Sequence, residues 1–259
     1  MALSSRFKFS VLGLTNGVIE LKNCVNQKLC SMSSPIAKAD KSGFDKALIA
    51  GHQQLSHGHR IDCLVRVLGQ RIKSLNMSMP IRVLDVGCGD MTLARGLLDQ
   101  VEGIDIACVD IHPPPPRGEG IDPFWQRYQQ FDGSSLPFDE HAFDVVIFSD
   151  VLHHVPAGLV SPLLKSAARV GRFVLIKDHF EYGWFSRNIL RAMDFVGNYG
   201  YGISVPKCYF SYDSFAATML DAGLRIDDMD IGISLYDHLP VVRSVLSSKW
   251  QFVATCSLA

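Results

Sequence analysis

Residues 81–93 read Ile-Arg-Val-Leu-Asp-Val-Gly-Cys-Gly-Asp-Met-Thr-Leu, and no other stretch of the chain is more informative. An apolar run typical of a β-strand contains Asp85, and Gly87 and Gly89 follow it at once. A segment that is compatible with a helix begins at about Met91. Because glycine has no Cβ, a glycine turn between a strand and a helix lets the backbone approach a nucleotide-like ligand closely. The stretch therefore predicts a site for such a ligand.

Predicted strands and helices alternate on either side of this turn. Apolar runs predict strands at about 81–86, 104–109, 124–131, 143–148, 173–176, 224–230 and 249–256, and helical patterns are found at about 52–75, 91–100, 157–170 and 212–222. This alternation implies a mostly parallel sheet with helices on both faces. Ligands bind at the carboxyl ends of the strands in such a sheet. The polar residues and glycine predicted at these ends are Asp85, Asp110, Asp132, Gly133 and Ser149.

The composition limits the class of protein. The chain has 259 residues, of which 47% are hydrophobic and 20% charged, and this suffices for one large α/β domain with a sizeable core. A formal net charge of −1 does not indicate a polyanionic partner, so we expect no nucleic acid. The seven cysteines are scattered without a Cys-x-x-Cys pair, which favours a reduced, cytoplasmic protein with neither disulfides nor a metal site. No apolar run approaches the ~18 residues of a transmembrane helix, so no such segment is expected.

Two cofactors compete for the predicted site. Sites for NAD favour a third small residue after the two glycines and hold a pyrophosphate at the helix N-terminus, but this chain has Thr92 there. Asp85 and Asp90 lie on either side of the glycines and would repel an anion, whereas they suit a ligand that carries an ammonium and a sulfonium. Asp110, ~20 residues beyond the glycines, can accept hydrogen bonds from both ribose hydroxyls. The pattern favours S-adenosyl-L-methionine (SAM), with NAD as the alternative.

Further motifs follow the glycine turn in a characteristic order. They are Val109-Asp110, Phe131-Asp132-Gly133 with Leu136-Pro137-Phe138, Phe143-Asp144-Val145-Val146, and Val151-Leu152-His153-His154-Val155. With these motifs, residues 50–180 resemble the class I SAM-dependent methyltransferases, in particular the type 11 and type 25 small-molecule groups. The resemblance implies a Rossmann-like, doubly wound α/β fold with a seven-stranded, mostly parallel sheet whose last strand is reversed.

The resemblance also implies an activity and a cofactor site. The activity is in-line transfer of a methyl group from SAM to a small-molecule or lipid/glycan-intermediate acceptor, with oxygen as the first candidate for the acceptor atom. The implied cofactor residues are Asp85, Gly87, Cys88 and Gly89 for the methionine portion, Asp110 for the ribose, and Ile111 and Asp132 for the adenine, with Gly133 and Ser149 completing the site. Where the family often has a third glycine, this chain has Met91, which we expect to pack within the helix.

The chemistry does not require a dedicated base, because the cofactor supplies a primed methyl group and the protein aligns the reactants. The candidate bases are His153, His154, Asp178 and His179, which all follow predicted strands, and of these His154, Asp178 and His179 are the chosen catalytic candidates. For Lys177-Asp178-His179, a solvated loop is the alternative. For His154, which matches a histidine common in the family, a structural role is the alternative. Before the first predicted strand, the side chains of His52, His57, His59 and Arg60 could close over the amino-acid end of the cofactor, but a solvated helix start is the favoured interpretation. A SAM-binding module without turnover and an NAD-dependent oxidoreductase stay open as alternative functions.

The chain divides into an extension and one domain. Residues 1–45 are serine-rich and modestly basic. A transit peptide has such a composition, but a poorly ordered extension is the favoured interpretation. Residues 46–259 are predicted to form the methyltransferase domain. Within it, residues 178–211 are an aromatic-rich insertion, which we expect to form a helical cap over the acceptor site because aromatic rings supply apolar walls with polar tips.

Overall fold

The computed structural model describes the backbone of residues 43–114, 122–197, 205–237 and 246–259, and the side chains of these residues outside 43–57 and 196–197. The predicted extension therefore lies outside the described residues except for 43–45, and part of the predicted cap lies outside them too. The strands are β1 (Ile81–Val86), β2 (Ile104–Asp110), β3 (Tyr128–Gln130), β4 (Phe143–Ser149), β5 (Gly171–His179), β6 (Leu224–Ile231) and β7 (Gln251–Leu258). The helices are α1 (Gly43–Ser74), α2 (Thr92–Gln100), α3 (Ala157–Val170), α4 (Trp184–Gly197) and α5 (Tyr212–Asp221).

The strands form one sheet in the order β3-β2-β1-β4-β5-β7-β6. The five strands from β3 to β5 in this order pair in parallel. Strand β7 runs antiparallel to both β5 and β6. The predicted seven-stranded, mostly parallel sheet with a reversed last strand is confirmed. Because the strand order changes direction beside β1, the carboxyl ends of β1 and β4 flank the crevice where such sheets bind ligands.

Helices cover both faces of the sheet, and alternate side chains of β1 pack against the helices on opposite faces. Leu84 and Val86 are buried in one apolar cluster with residues of α3 and α5. Val83 is buried in a second cluster with residues of α1 and α2. Successive side chains of a strand point to opposite faces, so Asp85 projects to the same face as Val83. The sequence therefore places a carboxyl group beneath α1 and α2, in an otherwise apolar layer.

Strand β5 is longer than its apolar residues predict. The sequence indicated a strand that ends at residue 176, but β5 continues through Lys177, Asp178 and His179. Asp178 pairs with Phe252 of β7, and His179 pairs with Gln251. The candidate catalytic residues Asp178 and His179 therefore lie at the carboxyl end of a central strand rather than in the insertion.

The described part of the insertion is helix α4 with the segments that connect it to the sheet. Glu181 anchors it, because this carboxylate accepts hydrogen bonds from Nε of Arg187 at 2.8 Å and from the backbone N–H of Tyr209 at 3.0 Å. The ring of Phe180 is fully buried and stacks on Phe252 of β7, with centroids 4.0 Å apart. No helix in the described part of the chain is long and apolar enough to cross a membrane.

Candidate functional site

The turn after β1 adopts the backbone conformation that its glycines predict. Gly87 has φ of 75° and Gly89 has φ of 53°, both in the left-handed region. A Cβ atom added to Gly87 would lie 2.5 Å from Cγ2 of Val151, so a larger residue would clash unless Val151 moves. Met91 also has a positive φ, of 61°, and its side chain is fully buried. The burial of Met91 agrees with the expected packing role.

Asp110 connects this turn to the end of β2. One oxygen of its carboxylate accepts a hydrogen bond from the backbone N–H of Gly89 at 2.9 Å, and the other accepts one from the backbone N–H of His112 at 3.1 Å. The backbone N–H of Gly87 donates to the carbonyl oxygen of Val109 at 2.8 Å. Each carboxylate oxygen has a second lone pair. The carboxylate of Asp110 is therefore held in place and can still accept hydrogen bonds from a ligand.

Asp85 is a buried acid without an adequate partner. Its side chain is almost fully buried, and its Oδ2 atom has no hydrogen-bond partner among the described residues. Burial, together with the nearby Asp110 carboxylate, raises the pKa of Asp85 to about 7. An unpaired carboxylate in an apolar layer is unfavourable. A cationic ligand group beside Asp85 would remove this penalty.

A small cavity of about 110 Å³ adjoins Asp85. Residues from α1, the glycine turn and β4 line it, namely Arg60, Ile61, Leu64, Asp85, Gly87, Cys88, Asp90, Leu93 and Ser149. Four of the predicted cofactor residues, Asp85, Gly87, Cys88 and Ser149, thus share one cavity. Gly89 follows the lining residue Cys88 in the turn, and its backbone N–H donates a hydrogen bond to Asp110.

The remaining predicted cofactor residues lie at the ends of β2 and β3. The Ile111 side chain is 54% exposed, and a Cβ atom added to Gly133 would lie 3.0 Å from its Cγ2 atom. Asp132 orders the loop after β3, because its Oδ1 atom accepts hydrogen bonds from the backbone N–H groups of Ser134 at 2.7 Å and Ser135 at 2.9 Å. These bonds lower the pKa of Asp132. Ile111 and Gly133 therefore form an accessible apolar surface beside Asp110.

Asp150, directly after β4, organises a buried cluster of charges. It accepts hydrogen bonds from the Arg60 guanidinium and from Nζ of Lys177, and Nδ1 of His179 lies 3.4 Å from its Oδ1 atom. Although burial opposes ionisation, Lys177 and its neighbours hold the pKa of Asp150 well below the usual range. Burial lowers the pKa of the fully buried Lys177, and Asp150 opposes this shift. Arg60 is not at a solvated helix start, because its helix begins at Gly43 and its guanidinium is paired with Asp150. It lines the cavity beside Asp85, as the alternative interpretation requires.

A second cluster joins the loop after β4 to the cap. Nδ1 of His153 lies 2.5 Å from Oδ1 of Asp178, and its Nε2 atom lies 3.5 Å from Oδ2 of Asp194 on α4. The Tyr209 hydroxyl donates a hydrogen bond to Asp194. Although burial opposes the charged imidazole, Asp178 raises the pKa of His153 to about 9. Burial opposes ionisation of Asp178 also, yet His153 lowers its pKa.

The structure thus brings the candidate catalytic residues together. Asp178 is fully buried between His153 and the backbone N–H of His179, to which it is hydrogen-bonded at 2.7 Å. His179 is 7% exposed, and burial together with Lys177 lowers its pKa. The rings of His153 and His154 have centroids 4.2 Å apart. Asp194 was not predicted, because nothing in the pattern of α4 relates it to a histidine pair forty or so residues earlier.

Comparisons with known proteins show what this chain is similar to. A family described as "Methyltransferase domain" matches residues 84–173, which include the glycine turn, Asp110, Asp150 and His153. The chain is therefore similar to methyltransferase domains over these 90 residues, which are about a third of its length. A curated relative of this domain, Methyltransferase str3 of Strobilurus tenacellus, is 27% identical over 117 residues, which cover 44% of this chain and 41% of the relative. The chain therefore matches less than half the length of that relative.

Solved structures share the fold of the methyltransferase domain. A SAM-dependent methyltransferase from Aquifex aeolicus aligns with a TM-score of 0.51 at 14% identity and covers 86% of this chain and 100% of its own. The 1,6-didemethyltoxoflavin-N1-methyltransferase of Burkholderia thailandensis, with bound 1,6-didemethyltoxoflavin and S-adenosylhomocysteine, aligns with a TM-score of 0.52 at 17% identity. This alignment covers 87% of this chain and 94% of that one. At such identities the likeness establishes the fold, and the ligands of this chain must be argued from its own residues.

Proposed function

We propose that the methyltransferase domain binds SAM and transfers its methyl group to a small-molecule or lipid/glycan-intermediate acceptor. The observation that carries the proposal is the buried carboxyl group of Asp85, which lines the cavity beside Gly87 and whose Oδ2 atom has no hydrogen-bond partner among the described residues. The amino group of a methionine moiety is a cation that could pair with this carboxylate. SAM, when bound, supplies a methyl group on a sulfonium, which is a good leaving group for in-line displacement.

The other cofactor residues fit the nucleoside part of the same ligand. The cavity is smaller than the ~300–1,000 Å³ of typical ligand pockets, so it takes the methionine portion, and the nucleoside extends along the strand ends. There Asp110 would accept the ribose hydroxyls, and the surface of Ile111 and Gly133 would contact the adenine ring. Asp132 supports this surface through the loop that it orders. Ser149 lines the cavity from β4.

A specific contact disfavours the NAD-dependent oxidoreductase. A dinucleotide places its pyrophosphate against the first N–H groups of the helix after the glycine turn. In this chain Oδ1 of Asp90 already accepts the hydrogen bond from the backbone N–H of Thr92, at 3.0 Å. Asp85 adds a second carboxyl group beside the same turn. A pyrophosphate would have to displace one carboxylate and lie close to another.

The exposed aromatic residues of the cap suggest the kind of molecule that receives the methyl group. The pKa of His179 suggests which residue takes up the proton of that molecule. Tyr182, Trp184 and Phe185 at the start of α4 are each more than half exposed, which suits a partly apolar acceptor. For an oxygen acceptor we propose His179 as the base, because its lowered pKa keeps the imidazole neutral. Asp178 is enclosed by its partners and is proposed to position His153. A cytoplasmic location remains part of this proposal.

Calorimetric titration with S-adenosylhomocysteine and with NADH tests the cofactor assignment. We expect the chain to bind the first ligand and not the second. Asp110→Ala should weaken S-adenosylhomocysteine binding at least tenfold, since two buried hydrogen bonds to the ribose are lost. Asp105→Ala, which removes an exposed carboxylate at the other end of β2, is the matched control and should bind normally. Unchanged affinity in Asp110→Ala would contradict the ribose assignment, and binding of NADH alone would contradict the proposed cofactor.

Transfer of a radiolabelled methyl group to a metabolite extract separates the enzyme from a non-catalytic SAM-binding module. A labelled small molecule would identify the acceptor and its reactive atom. His179→Gln should lower kcat by ~10²–10⁴-fold if the acceptor is a hydroxyl, while the affinity for S-adenosylhomocysteine stays the same. A chain that binds S-adenosylhomocysteine but labels no acceptor would favour the module. Full turnover in His179→Gln would exclude this residue as the base.

A further inference from the structure

Two imidazoles and one carboxylate meet between the loop after β4 and helix α4. A ring nitrogen of His153, a ring nitrogen of His154 and a carboxylate oxygen of Asp194 all lie within 4.8 Å of one another. The three residues come from two separate elements, so the fold and not the local sequence assembles them. Imidazole nitrogens and carboxylate oxygens are the usual ligands of zinc in sites with an open coordination position.

The separation of His153 and Asp194 matches ligands of one metal ion better than a hydrogen-bonded pair. Tetrahedral zinc binds nitrogen and oxygen ligands at ~2.0–2.2 Å, which places two such ligands ~3.4 Å apart. Nε2 of His153 lies 3.5 Å from Oδ2 of Asp194, and hydrogen bonds to nitrogen usually measure ~2.7–3.2 Å. This Nε2 atom is buried, and it has no hydrogen-bond partner in the part of the chain that the structure describes.

Asp178 supplies the contact that metal-binding histidines usually make on their other nitrogen. Such histidines donate the second ring N–H to a carboxylate or carbonyl, which fixes the orientation of the ring. Here Nδ1 of His153 lies 2.5 Å from Oδ1 of Asp178, whose side chain is fully buried. This distance is a direct hydrogen bond and leaves no room for an ion between the two atoms. His153, Asp178 and His179 are therefore the less suitable ligand set, although they also cluster.

We propose that His153, His154 and Asp194 bind one divalent transition-metal ion, with zinc the preferred ion, and that Asp178 orients His153 for this purpose. The Tyr209 hydroxyl, which donates a hydrogen bond to Asp194, holds the third ligand in place. Three protein ligands leave the fourth position of tetrahedral zinc open to an exogenous ligand, and a hydroxyl-bearing acceptor is a ligand of this kind. This last consequence rests on the proposed methyl transfer, whereas the metal site does not.

Metal titration of the full chain tests the site without any activity measurement. After removal of metal with a chelator, wild type should bind one zinc ion per chain, and Co²⁺ in its place should give the visible absorption bands of a tetrahedral complex. Asp194→Asn and His154→Ala should each weaken zinc binding at least tenfold. Asp178→Asn should weaken it by ~10–100-fold, as for other partners of metal-binding histidines. Asp213→Asn and His141→Asn, which change exposed residues outside the cluster, are the matched controls and should bind zinc normally.

Titration of the same samples with S-adenosylhomocysteine keeps the two proposals apart. If the chain binds S-adenosylhomocysteine but not zinc, the metal site is overturned and the proposed function stands. If it binds zinc but not S-adenosylhomocysteine, the proposed function is overturned and the metal site stands. Circular dichroism identifies any variant that fails to fold, and the Co²⁺ spectrum of wild type then tests the site alone. The proposal is overturned if wild type takes up no zinc, or if folded Asp194→Asn and His154→Ala bind zinc as tightly as wild type does. A protonated His153 between two carboxylates would then explain the cluster.

Discussion

Replacement of Asp85 by Asn should change how the stability of the ligand-free domain depends on pH. The pKa of Asp85 rises from the ordinary value of 3.8 to about 7 on folding, chiefly because the carboxyl group is buried. The unfolded chain therefore releases this proton at a lower pH than the folded chain does. The contribution of Asp85 to stability is complete below pH ~4 and is lost progressively as the pH rises through about 7.

The size of this effect follows from the pKa difference. Three pKa units at 1.36 kcal/mol each correspond to a loss of ~4 kcal/mol between pH 4 and pH 8. Asn carries no charge, so Asp85→Asn avoids this loss. The stability of the variant relative to wild type should rise by up to that amount across the same interval. Asp150 and Asp178 have lowered pKa values, so their stabilising contributions are instead lost as the pH falls, but both proteins share this dependence.

Urea denaturation at pH 4, 5, 6, 7 and 8 measures the difference directly. The matched control is Asp90→Asn, which changes an exposed aspartate of the same turn and should leave the pH dependence of wild type unaltered. A saturating concentration of S-adenosylhomocysteine should reduce the advantage of Asp85→Asn at pH 8, because a bound ammonium would pair with the ionised carboxylate. Parallel pH curves for wild type and Asp85→Asn, without ligand, would refute the reasoning that Asp85 is an unpaired buried acid.

Two further pairs of substitutions, each a test and its control, probe the glycine turn and the buried charges around the site. Gly87→Ala should lower the free energy of unfolding by ~3 kcal/mol or more, because it combines a positive φ with a contact of 2.5 Å to Val151. Gly89→Ala, whose added Cβ meets nothing within 4 Å, should cost only the ~1–2 kcal/mol of the left-handed backbone, and equal costs would contradict the assigned contact. Lys177→Met should cost ~3–5 kcal/mol, because Asp150 loses one of its buried partners. Lys165→Met replaces a half-exposed lysine and should change stability by no more than ~0.5 kcal/mol in the same denaturation series.

The sequence predicted the elements whose signals are local. Strand β1 and helix α3 have the bounds that their apolar patterns indicated. Pro156 before α3 and Gly171 after it mark the ends of that helix, because proline and glycine act on the residues beside them. The positive φ of Gly87 was likewise foreseeable from glycine at a strand–helix turn. Such features depend on neighbours within a few residues, so the sequence displays them.

The end of β5 shows where local patterns fail. Lys177, Asp178 and His179 are polar, and polar residues after an apolar run usually mean that a strand has ended. They continue the strand because Asp150 and His153, from the loop after β4, supply partners for the buried charges. A buried lysine or aspartate is stable only when it is paired. The strand therefore depends on contacts that lie about 25 residues away in sequence, and no pattern within β5 reveals them.

The two buried charge clusters differ from Asp85 in one respect: in the clusters the chain supplies a partner for each buried carboxylate, and at Asp85 it does not. The chain itself supplies partners for Asp150 and Asp178, and their lowered pKa values keep these carboxylates ionised. Asp85 has no such partner, and ionising it in the ligand-free chain costs stability. A site that lacks one positive charge gains most from a ligand that brings it, since the ligand then removes an existing penalty as well as making a new contact. In the proposed function, the glycine turn would make room for the ligand, and the unpaired acid would favour one that carries a cation.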